Sequence, residues 1–189
     1  MSEFQDTIKA SSKVIETLGA LEADFDEAVK LLSSCVREGG KILVCGNGGS
    51  AADAAHFATE LLCRFEKDRD SLPGIALTMD GSFLTATGND YGFDRIFARQ
   101  IEGLGKAGDV LVGISTSGNS ANVLTAFEEA TKRGLNTLAM LGRDGGKAAG
   151  VADVELIVKD PATARIQEAQ KVLIHALCAG MEKALFGAL

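Results

Sequence analysis

The stretch from Lys41 to Phe65, KILVCGNGGSAADAAHFATELLCRF, constrains this chain more than any other. Ile42 to Cys45 is a short apolar run of the kind that forms a strand buried on both faces of a parallel sheet. Gly46-Asn47-Gly48-Gly49 breaks it, because glycine accepts positive φ and admits a ligand close to the backbone. Ser50 then reads as a helix N-cap, with Asp53 three residues on in the manner of a capping box. A strand that feeds a glycine turn and a helix N-terminus can hold an anion, since free N–H groups and the helix dipole converge there. Along the helix, Ala54, Phe57, Ala58, Leu61, Leu62 and Phe65 form an apolar face. His56 and Glu60, four apart, share the opposite face.

The rest of the chain repeats the strand–loop–helix theme. Val110 to Ile114 is a second strongly apolar strand, followed by Ser115-Thr116-Ser117-Gly118-Asn119-Ser120 and a helix through Val123, Ala126, Phe127 and Ala130. Gly74 to Thr78, Thr137 to Leu141 and Val154 to Val158 read as further strands. A short helix is expected at Phe83 to Thr87, closed by Gly88, with turn chemistry at Asn89-Asp90-Tyr91-Gly92 and a helix from Asp94 to Leu104. Pro161 opens a final helix that continues to about Phe186. Strands alternating with helices predict a doubly wound, five-stranded parallel α/β sheet. At 189 residues with 46% hydrophobic content, the chain is read as one domain spanning 1–189. Residues 1–40 form two helices, marked by Ile8, Ile15 and Leu18 and then by Phe25 to Val36, with Gly39-Gly40 as the stop. No strand precedes Lys41, so these helices read as an appendage that packs on another subunit or on its own sheet.

Charge and cysteines remove several classes. A net charge of −7 without any basic run argues against nucleic acid as a partner. It also means that an anionic ligand must be held by local dipoles. Cys35, Cys45, Cys63 and Cys178 are scattered without a C-x-x-C pair; three sit in apolar helix or strand contexts, and buried thiols are the expected reading. With no signal peptide and no membrane-length apolar run, a soluble cytoplasmic protein is expected. Gly46-x-Gly48-x-x-Ala51 fits the dinucleotide pattern formally, but the only acid placed for a ribose, Asp80, comes late, and no Walker A lysine follows the glycines. The Ser115–Ser120 loop places four hydroxyls and a glycine between a buried strand and a helix. Such a loop can wrap a phosphate without Lys or Arg.

Taken together, CGNGGSA, the helix bearing His56 and Glu60, GISTSGNS and RIQEAQKVLIH resemble the sugar isomerase (SIS) family, in particular its heptose-phosphate isomerase branch, over nearly the whole chain. The resemblance implies a flavodoxin-like SIS fold with an N-terminal helical extension. It implies phosphate binding by Ser115, Thr116, Ser117 and Ser120, and sugar contacts from Asn47, Gly48, Gly49, Ser50, Asn89, Asp90 and Gln167. It also implies one zinc ion per subunit held by His56, Glu60, Gln167 and His175, with proton transfer by Glu60 and His175. The chain's two histidines, His56 and His175, both fall in that ligand set. The implied reaction converts sedoheptulose 7-phosphate to D-glycero-D-manno-heptose 7-phosphate, a precursor of bacterial surface polysaccharide. The implied assembly is a homotetramer in which the last helix meets the Glu60 helix near a subunit boundary.

Chemically the set is coherent, since moving a proton between C1 and C2 of a ketose needs a carboxylate for the carbon proton and a partner for the oxygens. A glutamate tied to zinc is a poorer base, and glutamine is an unusual zinc ligand. Taken without the resemblance, His56 and Glu60 also fit an exposed helix pair, and His175 a border histidine of an apolar stripe. Some members carry an aspartate where this chain has Ala164, so any contact from that side chain is absent. Two other classes stay open at this stage. One is a non-catalytic relative that associates with the bacterial replication initiator, which lacks the groups matching Glu60 and His175. The other is an SIS isomerase of a different sugar phosphate.

Overall fold

The computed structural model describes residues 2–187. Five strands, β1 (Ile42–Gly46), β2 (Gly74–Ala76), β3 (Val110–Ser115), β4 (Asn136–Gly142) and β5 (Val154–Val158), form one sheet in the order β2-β1-β3-β4-β5. Every pairing is parallel, with Ile42 opposite both Gly74 and Val110. The expected doubly wound sheet is therefore present. β1, β3 and most of β4 are buried on both faces, which is why they read as unbroken apolar runs rather than alternating ones. β2 is shorter than its sequence suggests and stops at Ala76. It is an edge strand with one neighbour, and after it only the Leu77 N–H still reaches the Val44 carbonyl, at 2.8 Å.

Seven α-helices cover the sheet: α1 (Glu3–Glu16), α2 (Glu22–Arg37), α3 (Gly49–Leu62), α4 (Gly81–Tyr91), α5 (Ala98–Leu104), α6 (Ala121–Lys132) and α7 (Thr163–Phe186). Strand alternation splits the core in two. Ile42, Val44, Val112, Ile114 and Met140 pack with α2, α3 and α7, while Leu43, Cys45, Leu111 and Leu141 pack with α5 and α6. Of the two dockings that the sequence leaves open for the N-terminal helices, the structure shows packing on the chain's own sheet. α2 buries Ala28, Leu32 and Cys35 in the first of these cores, and α1 adds Val14. Burying an apolar helix stripe on the chain's own sheet won over leaving it for a partner, because the sheet face beside α7 is otherwise bare.

Several local expectations shift. Asn89, Asp90 and Tyr91 form the last turn of α4 rather than a separate turn, and the chain breaks at Gly92, whose φ is 91°. Asp80, considered for a ribose contact, is instead the N-cap of α4 and accepts the Phe83 N–H at 3.0 Å. The expected 94–104 helix divides into a 3₁₀ turn at Phe93–Arg95 and the shorter α5. α7 begins at Thr163, two residues beyond Pro161, and ends at Phe186 as expected. Cys35, Cys45 and Cys178 are buried, and burial raises their thiol pKa values to about 11, 12 and 12. Cys63 is exposed, in contrast to the expectation. Among the described residues no helix is long and apolar enough to cross a membrane.

Candidate active site

The order β2-β1-β3 means the chain leaves β1 in one direction and returns to start β3 on its other side. The C-terminal ends of β1 and β3, paired at Gly46 and Ile114, therefore open a crevice where neither connecting loop crosses. That is where open α/β sheets bind ligands. The glycine loop and the Ser-rich loop flank this crevice.

In the glycine loop, Gly48 is the N-cap of α3, with φ 55° and ψ −119°, a conformation that a side chain would resist. Its carbonyl takes the Ala51 and Ala52 N–H groups, and no side chain caps the helix. Ser50 is therefore not the cap. It lies buried in the first turn, and Asp53, also buried, pairs with Lys171 on α7 at 2.6 Å. A glycine turn can start a helix directly, so the serine and aspartate are released for other contacts. Asn47 turns toward α6 and exchanges two amide hydrogen bonds with Asn122, both 2.8 Å. This clasp joins the two loops across the crevice. Sequence reading missed Asn122, which carries no signal beyond its place two residues after the Ser-rich loop.

The Ser-rich loop is tightly built. Ser115 Oγ lies 3.1 Å from Ser120 Oγ and accepts the Gly118 N–H at 3.1 Å. Ser117 Oγ accepts the Asn119 N–H at 3.2 Å. Gly118 has φ 62°, and a Cβ there would lie 1.8 Å from the Gly145 carbonyl oxygen, so only glycine fits. Ser120 is the N-cap of α6 without a capping side-chain bond, which leaves the first N–H groups of that helix facing the crevice for an anion.

α3 and α7 run side by side in parallel, as three contacts at a nearly constant offset show. Gly49 meets Gln167, Asp53 meets Lys171, and His56 meets His175. His56 Nε2 is 2.9 Å from His175 Nε2 and 3.5 Å from Glu60 Oε1. Two ring nitrogens so close share either a proton or a cation. The Phe65 ring packs on His175, with centroids 5.7 Å apart. Desolvation lowers the His56 pKa, and the Lys171 charge lowers it further against the pull of Glu60. Two imidazoles and a carboxylate are an established donor set for zinc. Tetrahedral coordination places two nitrogens roughly 3.4 Å apart, so these rings need to part by only about half an ångström. Among the described residues no cluster of His, Cys, Asp or Glu is preformed as a metal cage, so the three donors are near but not arrayed.

Gln167 is not with them. Its amide presses on Gly49, where a Cβ would come within 2.2 Å of Nε2. It stands eight residues, about 12 Å of helix, before His175. It lines a cleft of about 420 Å³ with Gly49, Asp53 and Lys171, on the glycine-loop side. Asn89 and Asp90 are exposed, bond to each other at 2.8 Å, and among the described residues hydrogen-bond to neither loop.

One buried pair holds the two chemical helices together. Arg69 Nε donates to Glu182 Oε1 of α7 at 2.9 Å, while its other nitrogens donate to the carbonyls of Glu60 and Leu61 at the end of α3, each at 2.8 Å. Glu182 also accepts the N–H groups of Phe65, Glu66 and Lys67. Neither residue stands out in the sequence, because a charge in a polar connection and one in a helix give no sign of pairing.

The SIS-domain family model matches residues 3–142. A phosphoheptose isomerase of Neisseria meningitidis serogroup A is 58% identical over 155 residues, covering 80% of this chain and 79% of that one. One from Sulfurimonas denitrificans is 48% identical over 187 residues, covering 97% and 96%. Among solved structures, a phosphoheptose isomerase from Francisella tularensis superposes with a TM-score of 0.92 at 40% identity, over 97% of this chain and all of that one. One from Neisseria gonorrhoeae gives 0.86 at 49% identity, over 95% of each.

Proposed function

Because this chain belongs to the phosphoheptose isomerases of the SIS-domain family, we infer that it is an aldose–ketose isomerase that interconverts sedoheptulose 7-phosphate and D-glycero-D-manno-heptose 7-phosphate. The observation that supports the reading is the convergence of Glu60 with the two histidines where α3 and α7 run side by side, in a fold whose hydroxyl-rich loop ends the neighbouring strand β3. The phosphate sits against Ser115, Thr116, Ser117 and Ser120 and the start of α6. Its negative charge is met by hydroxyls, N–H groups and the helix dipole. The sugar then extends past the glycine loop, where Asn47, Gly48, Gly49 and Ser50 border it, and Gln167 faces it from α7. Asn89 and Asp90, at the end of α4, reach the sugar from the β2 side.

At the reacting end, the Glu60 carboxylate takes the proton from C1 of the ketose. The electron pair forms the C1–C2 double bond, and O2 gains a proton, giving an enediol. Glu60 returns a proton to C2 while O1 loses its own, leaving the aldehyde. His175 carries the oxygen protons, since its ring both donates and accepts. His56, Glu60 and His175 are the residues that would hold zinc, and bound zinc would polarise the substrate oxygens and stabilise charge developing on them. Gln167 joins that set only by a change of rotamer or backbone, and in the arrangement described it serves the sugar.

The non-catalytic alternative loses ground because both acid–base groups are present and both lie beside His56. Incubation with sedoheptulose 7-phosphate and, separately, with fructose 6-phosphate, read by NMR of the sugars, tests the assignment. Faster turnover of the six-carbon ketose would leave a general sugar-phosphate isomerase in its place. For the metal, the purified protein is expected to carry near-stoichiometric zinc, and chelation is expected to lower its melting temperature, because a ligand bound only to the native state stabilises it. Metal-free protein of undiminished stability and activity would leave the acid–base chemistry alone. A cytoplasmic homotetramer accords with the reading. Phe4 and Ile8 of α1 and Val172 of α7 leave exposed apolar surface for assembly, and an active monomer in light scattering would remove that part.

A further inference from the structure

We propose that Arg143, aided by Lys159, forms a cationic rim beside the Ser-rich loop that draws in and retains the phosphate end of the sugar phosphate. The proposal rests on the isomerase reading above. A groove of about 870 Å³ is lined by Ser117 and Asn119 of the loop, by Arg143 and Asp144 after β4, and by Lys159 and Asp160 after β5. β3, β4 and β5 are consecutive parallel neighbours, so all six residues lie at the same edge of the sheet as the phosphate-binding crevice.

The turn that carries Arg143 is pressed onto the loop. A Cβ at Gly142 would lie 2.4 Å from the Thr116 carbonyl oxygen, and one at Gly146 would lie 2.4 Å from that of Ser117. Glycine on both sides lets the backbone of this turn touch the loop and brings Arg143 beside it. Arg143 itself has φ 60° and is the one non-glycine residue with positive φ among the described residues. A left-handed backbone is unfavourable for any side chain with a Cβ, and glycine would adopt it freely. A strained arginine where glycine would serve the turn better is accounted for by what its guanidinium does.

Both cations are exposed, and among the described residues neither side chain has a hydrogen-bond or ion-pair partner. The two acids of the groove are engaged with backbone. Asp144 Oδ1 accepts the Gly146 N–H at 3.1 Å, and Asp160 Oδ1 accepts the Ala162 N–H at 2.8 Å. Lys159 also borders a neighbouring cavity that contains Asp24, so Arg143 carries the larger share. The Ser-rich loop contains no cation of its own, and the chain's net charge of −7 repels a phosphorylated sugar. The two acids keep their charge but are tied back to their own turns, so the two unpaired cations are the groups free to reach an incoming phosphate at the outer edge of the loop, where steering acts on the rate of encounter.

The test uses Arg143→Gly, Arg143→Lys and the double variant Arg143→Gly/Lys159→Ala in the full chain. Arg143→Gly is expected to melt at the wild-type temperature or above, since it relieves the left-handed backbone. The double variant is expected to lose about tenfold in kcat/KM with kcat held at about 0.01 M ionic strength, where the screening length is ~30 Å. The deficit should shrink below about twofold near 1 M salt, where that length is ~3 Å. Arg143→Lys should retain most of the wild-type value. Parallel salt dependence of kcat/KM in the wild type and the double variant would overturn the proposal. A wild type that isomerises no ketose phosphate would instead overturn the isomerase reading. In that case calorimetry with inorganic phosphate decides the rim by itself, with unaltered binding in the double variant counting against it.

Discussion

Glu60→Gln is expected to reduce turnover of sedoheptulose 7-phosphate by about a thousandfold while leaving the fold and the affinity for substrate nearly intact. The carboxylate stands 3.5 Å from His56, one turn on along α3, and its side chain is partly exposed rather than sealed in the core. Glutamine keeps the shape and the helix propensity but cannot accept a proton from carbon. Loss of a positioned general base costs typically ~10²–10⁴ in rate. With the phosphate held by the Ser-rich loop, as proposed, KM should change little, and the loss should appear in kcat and kcat/KM alike. His175→Gln should lower turnover by about a hundredfold, since oxygen protons can also be exchanged with water. In deuterated water, wild-type product should carry deuterium at C2, and Glu60→Gln should form none above background. Near wild-type rates in both variants would remove the acid–base assignment and move the proton transfers to other groups.

The sequence makes the frame of this site readable because its signals are local. A buried strand, a glycine turn and a helix with His56 and Glu60 four apart require only short-range periodicity, and the Ser-rich loop repeats the same grammar at β3. What stays hidden is long-range. The Asn47–Asn122 clasp joins residues 75 apart, and the Arg69–Glu182 pair joins residues 113 apart. Nothing in the pattern of either stretch indicates the other. Ser50 and Asp53 show the opposite difficulty, because their spacing fits a capping box so well that the pattern conceals their actual uses. Gly48 takes the cap position by its positive φ, Ser50 lies buried in the first turn of α3, and Asp53 crosses to Lys171. The docking of α2 stays open in the sequence for a similar reason. Its apolar stripe is as visible as that of α7, but periodicity does not reveal which surface covers it, and the sheet face does.

The Arg69–Glu182 pair leads to the other large effect, this time on stability. Arg69 and Glu182 side chains are 3% and 4% exposed, and their 2.9 Å contact joins the end of α3 to α7 seven residues beyond His175. Removing one partner of a buried pair leaves the other as an uncompensated charge, which costs ~3–5 kcal/mol. Arg69→Met should therefore destabilise the fold by about 3 kcal/mol, on the order of 6–12 °C in Tm for a domain of this size. The pH dependence separates charge from packing. Burial pushes the Glu182 carboxyl up, but the Lys67 N–H, the Arg69 guanidinium and the N–H groups of Phe65 and Glu66 outweigh it, and the net shift is downward. A folded-state value below the unfolded one gives stability that is present at neutral pH and lost as pH falls through the folded value. Without Arg69 the burial effect gains weight, the carboxyl moves up, and protonation at acid pH relieves the stranded charge. The gap between wild type and Arg69→Met should therefore be widest at neutral pH and narrow below about pH 5, as read from urea titrations. Glu182→Gln added to Arg69→Met should recover part of the loss, because the uncompensated charge is gone. Turnover should fall in Arg69→Met even where the protein remains folded, since Arg69 also holds the Glu60 carbonyl at 2.8 Å. A deficit that is constant with pH and unrelieved by Glu182→Gln would mean that Arg69 acts by packing alone.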